Sequence, residues 1–113
     1  MGCKTLISNE ALKGYNDIMI LSILVDYDSY GYEISKRIRD ITGDKYLIKE
    51  TTLYSAFNRM EKNGFIESYF GSETFGKRRT YYKITPSGKT YFLNKCSEWK
   101  ETVILLSNFM KEV

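Results

Sequence analysis

The spacing of apolar residues changes twice along this chain, and that change restricts the possible folds more than any other feature. Up to about Asn63, apolar residues recur every three to four positions, which is typical of helices. Between Phe65 and Ile84 the period becomes two, as expected of strands. A helical period returns after Thr85. The chain is therefore predicted to form helices, then a β-hairpin, then a long final helix.

Three helices are predicted before the hairpin. The first is capped by Ser8 or Asn9 and ends near Val25, the second covers residues 30–42, and the third covers residues 50–63. A turn at residues 26–29 separates the first two, and Gly43 and Gly64 end the second and third helices in the conformation that suits glycine. The second half of the first helix is apolar on nearly every side, so it is predicted to be central in the core. The predicted buried stripes of the other two helices are Ile34, Ile38 and Ile41, and Leu53, Phe57 and Met60.

The hairpin and the last helix complete the predicted fold. Residues 65–70 and 78–84 are the predicted strands, joined by a loop at residues 71–77. Thr85 caps the last helix, and Pro86 stands at its first position, where the missing N–H costs nothing. Three helices followed by a hairpin make a winged helix-turn-helix, so the predicted class is mainly α with a β-hairpin and a long C-terminal helix.

The third helix and the hairpin carry the residues expected to contact DNA. The second helix of a helix-turn-helix motif enters the major groove, where hydroxyl, amide and guanidinium groups bind phosphates and base edges. In this chain that helix is the third one. The residues outside its buried stripe are Thr51, Thr52, Ser55, Asn58, Arg59 and Lys62, with Tyr54 near the boundary. The hairpin adds a basic run, Lys77, Arg78 and Arg79, with Lys83 further along. Any amphipathic helix has a solvated polar face, but the combination with a basic wing favours DNA binding.

The composition excludes most other classes of function. The chain has no histidine, and its two cysteines, Cys3 and Cys96, are too far apart for a disulfide framework or a zinc site. Without a glycine-rich phosphate loop or a placeable carboxylate pair, neither an enzyme nor a metal or cofactor site is predicted. No stretch is long and apolar enough for a membrane helix, and no leader pattern is present, so a cytoplasmic protein is expected.

Three segments of this sequence resemble the PadR-like family of transcriptional regulators. They are residues 30–34 (YGYEI), residues 52–66 (TLYSAFNRMEKNGFI) and residues 79–88 (RTYYKITPSG). The similarity extends from about Glu10 to Val113 and fits the subfamily with a single C-terminal helix. It implies a dimeric repressor that binds a palindromic operator and is often released by a small molecule, as in the multidrug-responsive members. The DNA contacts that it implies are Thr52, Tyr54, Ser55, Asn58, Lys77 and Arg78.

The last helix carries an apolar heptad pattern that predicts a dimer. The positions are Phe92, Cys96, Trp99, Val103, Leu106, Met110 and Val113. Such a seam is typical of helices that pair with a second chain, although a purely intramolecular helix is the alternative. Residues 1–85 are therefore predicted to be the DNA-binding domain and residues 86–113 the dimerisation helix. Cys96 is interpreted as a small seam residue rather than as a redox sensor.

Trp99, the only tryptophan, has two interpretations. From the sequence alone it is an ordinary core aromatic residue. The family resemblance instead implies a pocket at the dimer interface where planar aromatic compounds stack, with Trp99, Ile18 and Val103 as ligand-binding residues. Val103 stands where such drug sensors have an acidic residue, so a preference for cationic drugs would need Glu98 or Glu101 to take its place.

One other class of function remains open at this point. A winged helix can bind protein partners without specific DNA binding, and the C-terminal seam could then pair with a different chain. The basic wing and the outward Thr, Ser and Asn residues favour DNA over this alternative.

Overall fold

A computed structural model describes residues 6–74 and 77–113 of the chain. The elements in chain order are α1 (Asn16–Asp26), β1 (Ser29–Tyr30), α2 (Gly31–Ile41), α3 (Glu50–Lys62), β2 (Ile66–Thr74), β3 (Lys77–Ile84) and α4 (Pro86–Ser107). The three strands form an antiparallel sheet in the order β1-β3-β2. The predicted class, mainly α with a β-hairpin and a long C-terminal helix, is confirmed.

The first helix begins later than predicted. Ser8 accepts a hydrogen bond from the Ala11 backbone N–H at 3.0 Å, as a capping residue would. However, Gly14 has φ +95°, a left-handed conformation that a right-handed helix cannot include. Residues 9–15 therefore form turns, and α1 begins only at Asn16.

The core forms around α1 much as the apolar pattern predicted. Ile20, Leu21, Ile23 and Leu24 of α1 are fully buried, as are Ile34 and Ile38 of α2 and Leu53, Phe57 and Met60 of α3. The prediction for Ile41 was wrong: it is the last residue of α2 and is 66% exposed. Tyr46, in the link between α2 and α3, is buried instead, and its hydroxyl donates to Asn16 Oδ1 at 2.6 Å.

The predicted turn at residues 26–29 contains the start of a strand. Ser29 and Tyr30 pair with Tyr82 and Tyr81 on the edge of β3 that β2 does not occupy. A two-residue strand has no periodicity, so only its contact with β3 can define it. The Ser29 side chain is buried and donates to Glu33 in the first turn of α2, which joins this strand to the helix.

The hairpin strands are longer than predicted. They pair from Ile66 opposite Ile84 to Thr74 opposite Lys77, so most of the predicted loop belongs to β2 or β3. The register shifts between Phe70 and Glu73, and this irregularity interrupts the alternation on which the prediction was based. Residues 75 and 76 of the predicted loop lie outside the described residues.

The last helix begins as predicted and ends early. Thr85 Oγ1 accepts from the Gly88 backbone N–H at 3.0 Å, and Pro86 occupies the first helical position. The helix stops at Ser107, and the next three N–H groups each bond to a carbonyl three residues back. Met110 and Val113 thus lie beyond the helix, so the prediction that the last helix continues through both residues was wrong.

The C-terminal half of α4 extends away from the core. The described chain measures 57 × 35 × 22 Å and has a radius of gyration of 15.9 Å. A compact domain of this length has a radius of gyration of about 13 Å. No helix within residues 6–74 and 77–113 is both long and apolar enough to cross a membrane.

Candidate nucleic-acid interface

Four polar side chains form one outward face of α3, which we call the reading face: Thr51, Thr52, Ser55 and Asn58. Thr51, Ser55 and Asn58 are exposed, and Thr52 is half-buried. They lie on this side because the apolar residues at positions 53, 57 and 60 turn the opposite side into the core. The structure therefore brings together three of the predicted DNA-contact residues, Thr52, Ser55 and Asn58.

Tyr54 is held more firmly than a freely projecting side chain. Its ring packs edge-on against Phe57, with centroids 5.3 Å apart at 88°. Its hydroxyl lies against Gly31, where a Cβ atom would overlap the ring and its oxygen. Gly31 thus gives Tyr54 its place between α2 and α3. About half of the side chain stays exposed beside the reading face.

Arg59 is exposed, as predicted, but its guanidinium is not free. Its guanidinium forms an ion pair with Asp17 of α1, whose side chain is only 10% exposed. The other carboxylate oxygen of Asp17 accepts a hydrogen bond from the Tyr91 hydroxyl of α4 at 3.0 Å. One buried carboxylate therefore connects α3 to α1 and α4, and Arg59 is engaged within the fold.

Tyr91 is fixed in the donor role by its surroundings. Burial raises the pKa of Tyr91 to about 12, and the hydrogen bond to Asp17 adds to that rise. Its ring stacks on Phe65, with centroids 4.1 Å apart and planes 13° from parallel. The hydroxyl consequently keeps its proton at neutral pH and holds the first turns of α4 against α1.

Sequence reasoning overlooked this connection, although a signal for it was present. Asp17 is followed by a strongly apolar run in α1, and a carboxylate that is buried with such a helix must find a charged or hydrogen-bonding partner. That argument indicates that a partner exists. It cannot name Arg59 or Tyr91, which are 42 and 74 residues away.

Strand β3 carries the basic run of the wing, and only some of its basic side chains are available for DNA. Arg78 is exposed, with its guanidinium 5.3 Å from the centre of the Phe70 ring. Arg79 is half-buried and lies 4.4 Å from the centre of the Tyr30 ring. Lys83 is opposite Glu67 on β2. Lys77 begins β3, and its side chain lies outside the described part of the structure.

The predicted dimer residues of α4 follow a graded pattern of exposure. Phe92 and Cys96 are half-buried against the rest of the chain. Trp99, Val103 and Leu106 are each about half exposed, and Met110 is more exposed still. Of the predicted dimer residues that lie within the helix, Trp99, Val103 and Leu106 are exposed, and we call these three the α4 seam.

Two of the three predicted ligand-binding residues lie together. Ile18 and Trp99 line the same cleft of about 200 Å³, where Trp99 also contacts the Tyr15 ring at a centroid distance of 6.2 Å. Val103 does not line this cleft. Glu98, at its edge, is ion-paired with Lys95 at 3.2 Å.

Comparison with known proteins identifies a family for this chain. The model of the transcriptional regulator PadR-like family matches residues 20–94. A protein from Lysinibacillus sphaericus named Uncharacterized protein X is 39% identical over 106 residues, which cover 94% of this chain and 97% of that protein.

Two solved structures are similar over nearly the whole chain. A transcriptional regulator from Clostridium thermocellum is 57% identical, with a TM-score of 0.86, and the match covers 94% of this chain and all of the other. A PadR family transcription regulator from Clostridium difficile R20291 is 39% identical, with a TM-score of 0.74, and covers 87% of this chain and all of its own.

Proposed function

Because the chain belongs to the PadR-like family of transcriptional regulators, we propose that it is a repressor that binds a palindromic DNA operator as a homodimer. The family consists of regulators and not of enzymes, in agreement with the sequence-based prediction. The observation that supports DNA binding most directly is the reading face of α3, where exposed hydroxyls and an amide lie on one side of the helix. Tyr54, next to this face, lines the same cleft as Arg78. Asparagine can bond bidentately to adenine, and hydroxyls bond to either bases or phosphates. Since the relatives described above come from bacteria, in which DNA lies in the cytoplasm, a cytoplasmic location is part of the proposal.

The α4 seam supports the dimer. Its three apolar side chains are uncovered in the single chain, and they lie on the part of α4 that extends away from the core. A second copy that packs along this helix would remove them from water, a gain of about 25 cal/mol for each Å² of apolar surface. Under this proposal residues 86–113 join the two copies, and residues 1–85 of each contact one half-site about 34 Å from the other.

The cleft beside Trp99 supports a ligand site at the dimer interface. Its volume of about 200 Å³ is below the 300–1,000 Å³ that is common for small-molecule sites, so one chain forms only part of such a pocket. We propose that the seam of a second copy completes it around a planar aromatic compound. The compound would release DNA only if it binds the DNA-free arrangement more tightly. A cationic ligand is disfavoured, because Glu98 is already paired with Lys95 and position 103 is valine.

DNA binding is tested by fluorescence anisotropy of labelled duplex from upstream of the protein's own gene, against a scrambled duplex, at low and physiological salt. We expect tight binding to the upstream duplex that survives physiological salt. Asn58→Ala should lower affinity for that duplex by about 1–3 kcal/mol and leave scrambled DNA unaffected. Asn94→Ala, an exposed asparagine on α4, is the matched control. Equal and salt-labile binding to both duplexes would contradict a specific repressor, and no binding would favour the protein-interaction module.

The dimer is tested by sedimentation of the unmodified chain and of Leu106→Glu, which puts a charge into the α4 seam. Ser97→Glu adds the same charge at an exposed position of the helix outside the seam. We expect a dimer for the unmodified chain and for Ser97→Glu, and a monomer for Leu106→Glu. A monomeric unmodified chain at the concentrations that bind DNA would contradict the proposal.

The ligand site is tested through Trp99, whose fluorescence has no other tryptophan to obscure it. Planar aromatic compounds that enter the cleft should quench it, and the same compounds should lower DNA affinity in the anisotropy assay. An unchanged spectrum across a diverse panel of dyes would contradict the proposed site.

A further inference from the structure

Residues 6–15 fold back over the start of α3. The Ile7 backbone N–H donates to the Lys45 carbonyl at 2.7 Å. Both ends of the Asn9 amide also bind the link before α3: Nδ2 donates to the Leu47 carbonyl at 3.0 Å, and Oδ1 accepts from the Lys49 backbone N–H at 3.1 Å. The segment is therefore fastened to the residues that lead directly into α3.

A polar cleft of about 760 Å³, which we call the N-terminal cleft, lies between this segment and α3. The lining residues that matter for its chemistry are three hydroxyls of α3, at Thr51, Thr52 and Ser55, and two lysines, Lys13 and Lys49. Neither lysine is ion-paired within residues 6–74 and 77–113. Glu10 also lines the cleft, whereas Asp17 and Arg59 neutralise each other within it. The cleft therefore carries a net positive charge.

We propose that the N-terminal cleft holds the sugar–phosphate backbone of one DNA strand, next to the groove that α3 enters, with Lys13 and Lys49 contacting phosphates. This inference rests on the proposed DNA-binding function. Thr51, Thr52 and Ser55 belong both to the cleft and to the reading face, so the two surfaces are continuous. Lysine ammonium and hydroxyl groups are the common protein partners of phosphate oxygens, and such contacts set the register of a protein on DNA without reading its sequence.

The proposal extends the DNA interface beyond the helix and the wing. Lys13 comes from the segment before α1, and it reaches the cleft because Asn9 and Gly14 bring that segment across α3. Under this proposal residues 6–15 form a third DNA-binding element, beside α3 and the wing. Its contribution to binding is electrostatic and independent of sequence.

The test is the salt dependence of DNA affinity for Lys13→Gln, Lys49→Gln and the double variant, measured by anisotropy on both the upstream and the scrambled duplex. Each phosphate contact contributes about 0.9 to the slope of log affinity against log salt concentration. Because the DNA-bound dimer carries two copies of each lysine, we expect each single variant to flatten the slope by about 1.8, and the double variant by about twice as much. Both duplexes should lose affinity by the same factor. Lys111→Gln, an exposed lysine beyond α4, controls for the loss of one charge.

Asn9→Ala tests the contribution of Lys13 to DNA binding separately from that of Lys49. Loss of the Asn9 contacts should release the segment that carries Lys13 in both copies and leave Lys49 in place, so the slope flattens by about 1.8 and adding Lys13→Gln changes it no further. The lysine variants alter only exposed side chains, and thermal melting checks that they remain folded.

The outcomes distinguish the inference from the function on which it rests. If the unmodified chain binds DNA and Lys13→Gln and Lys49→Gln match Lys111→Gln, the N-terminal cleft is not a phosphate site, and the reading face and wing account for binding. If the unmodified chain binds neither duplex, both the cleft and the proposed repressor function are overturned.

Discussion

The carboxylate of Asp17 is predicted to be one of the most sensitive polar groups in the molecule. It is 7% exposed and accepts hydrogen bonds from Arg59 of α3 and Tyr91 of α4. Asp17→Asn keeps the volume of the side chain but removes its charge. The new amide also has only one acceptor oxygen for two donors, so its NH₂ group must face one of them.

The expected loss of stability in Asp17→Asn depends on how exposed the partners of Asp17 are. Breaking a fully buried ion pair costs about 3–5 kcal/mol, but the Arg59 side chain is 54% exposed and can be rehydrated. A hydrogen bond to a charged group contributes about 1.5–3 kcal/mol, and the half-exposed pair belongs at the lower end of that range. The weakened hydrogen bond from Tyr91 adds about 0.5–1 kcal/mol. We therefore expect Asp17→Asn to lower the free energy of unfolding by about 2–3 kcal/mol, which lowers Tm by about 8–12 °C.

Tyr91→Phe separates the two contacts of Asp17. It removes one hydroxyl donor and retains the ring that stacks on Phe65, so we expect a loss of about 1 kcal/mol. Because the two residues are in contact, the double variant should lose less than the sum of the single losses, by about 0.5 kcal/mol or more.

Thermal melting and urea unfolding at one fixed protein concentration measure these changes, since a dimer melts in a concentration-dependent way. Asp26→Asn is the matched control: it is an exposed carboxylate at the end of the same helix, and its loss should change stability by less than about 0.5 kcal/mol. If Asp17→Asn and Asp26→Asn melt together, or if Tyr91→Phe is as costly as Asp17→Asn, the connecting role of this carboxylate is refuted.

Three further predictions concern single positions and are checked by urea unfolding. Gly88→Ala should cost about 3 kcal/mol, because its Cβ would overlap the backbone carbonyl of Phe65, and a cost below 1 kcal/mol would contradict that contact. Gly64→Ala should cost roughly 1–2 kcal/mol for a different reason: φ is +78° and no atom lies within 4 Å of the added carbon, so only backbone strain acts. Alkaline pH should destabilise the fold, because the pKa values of Tyr91 and Tyr69 are raised to about 12 in the folded chain, from 10.0. Their contribution is fully present below pH 10 and is lost as pH rises through about 12, and Tyr91→Phe should weaken this dependence.

The reading face and its surroundings show which parts of the site a helical pattern can predict. The position of the reading face follows from the apolar stripe of α3, because a helix that buries residues 53, 57 and 60 must expose residues 51, 55 and 58. The same argument placed Arg59 outward, and its side chain is 54% exposed, but periodicity could not show that its guanidinium is paired with Asp17. Lys13 and the N-terminal cleft could not be predicted either, since the segment that carries Lys13 was expected to be helical.

The sequence by itself determined the features that depend on neighbouring residues: the helical and strand periods, the cap formed by Thr85 and Pro86, and the stop at Gly64. These interactions span a few residues, so their patterns are visible without the fold. Only the tertiary structure decided that Ser29 and Tyr30 form a strand and that Asp17 joins three helices. Each of those contacts joins residues far apart in the chain, and their partners are defined only when the whole core has formed.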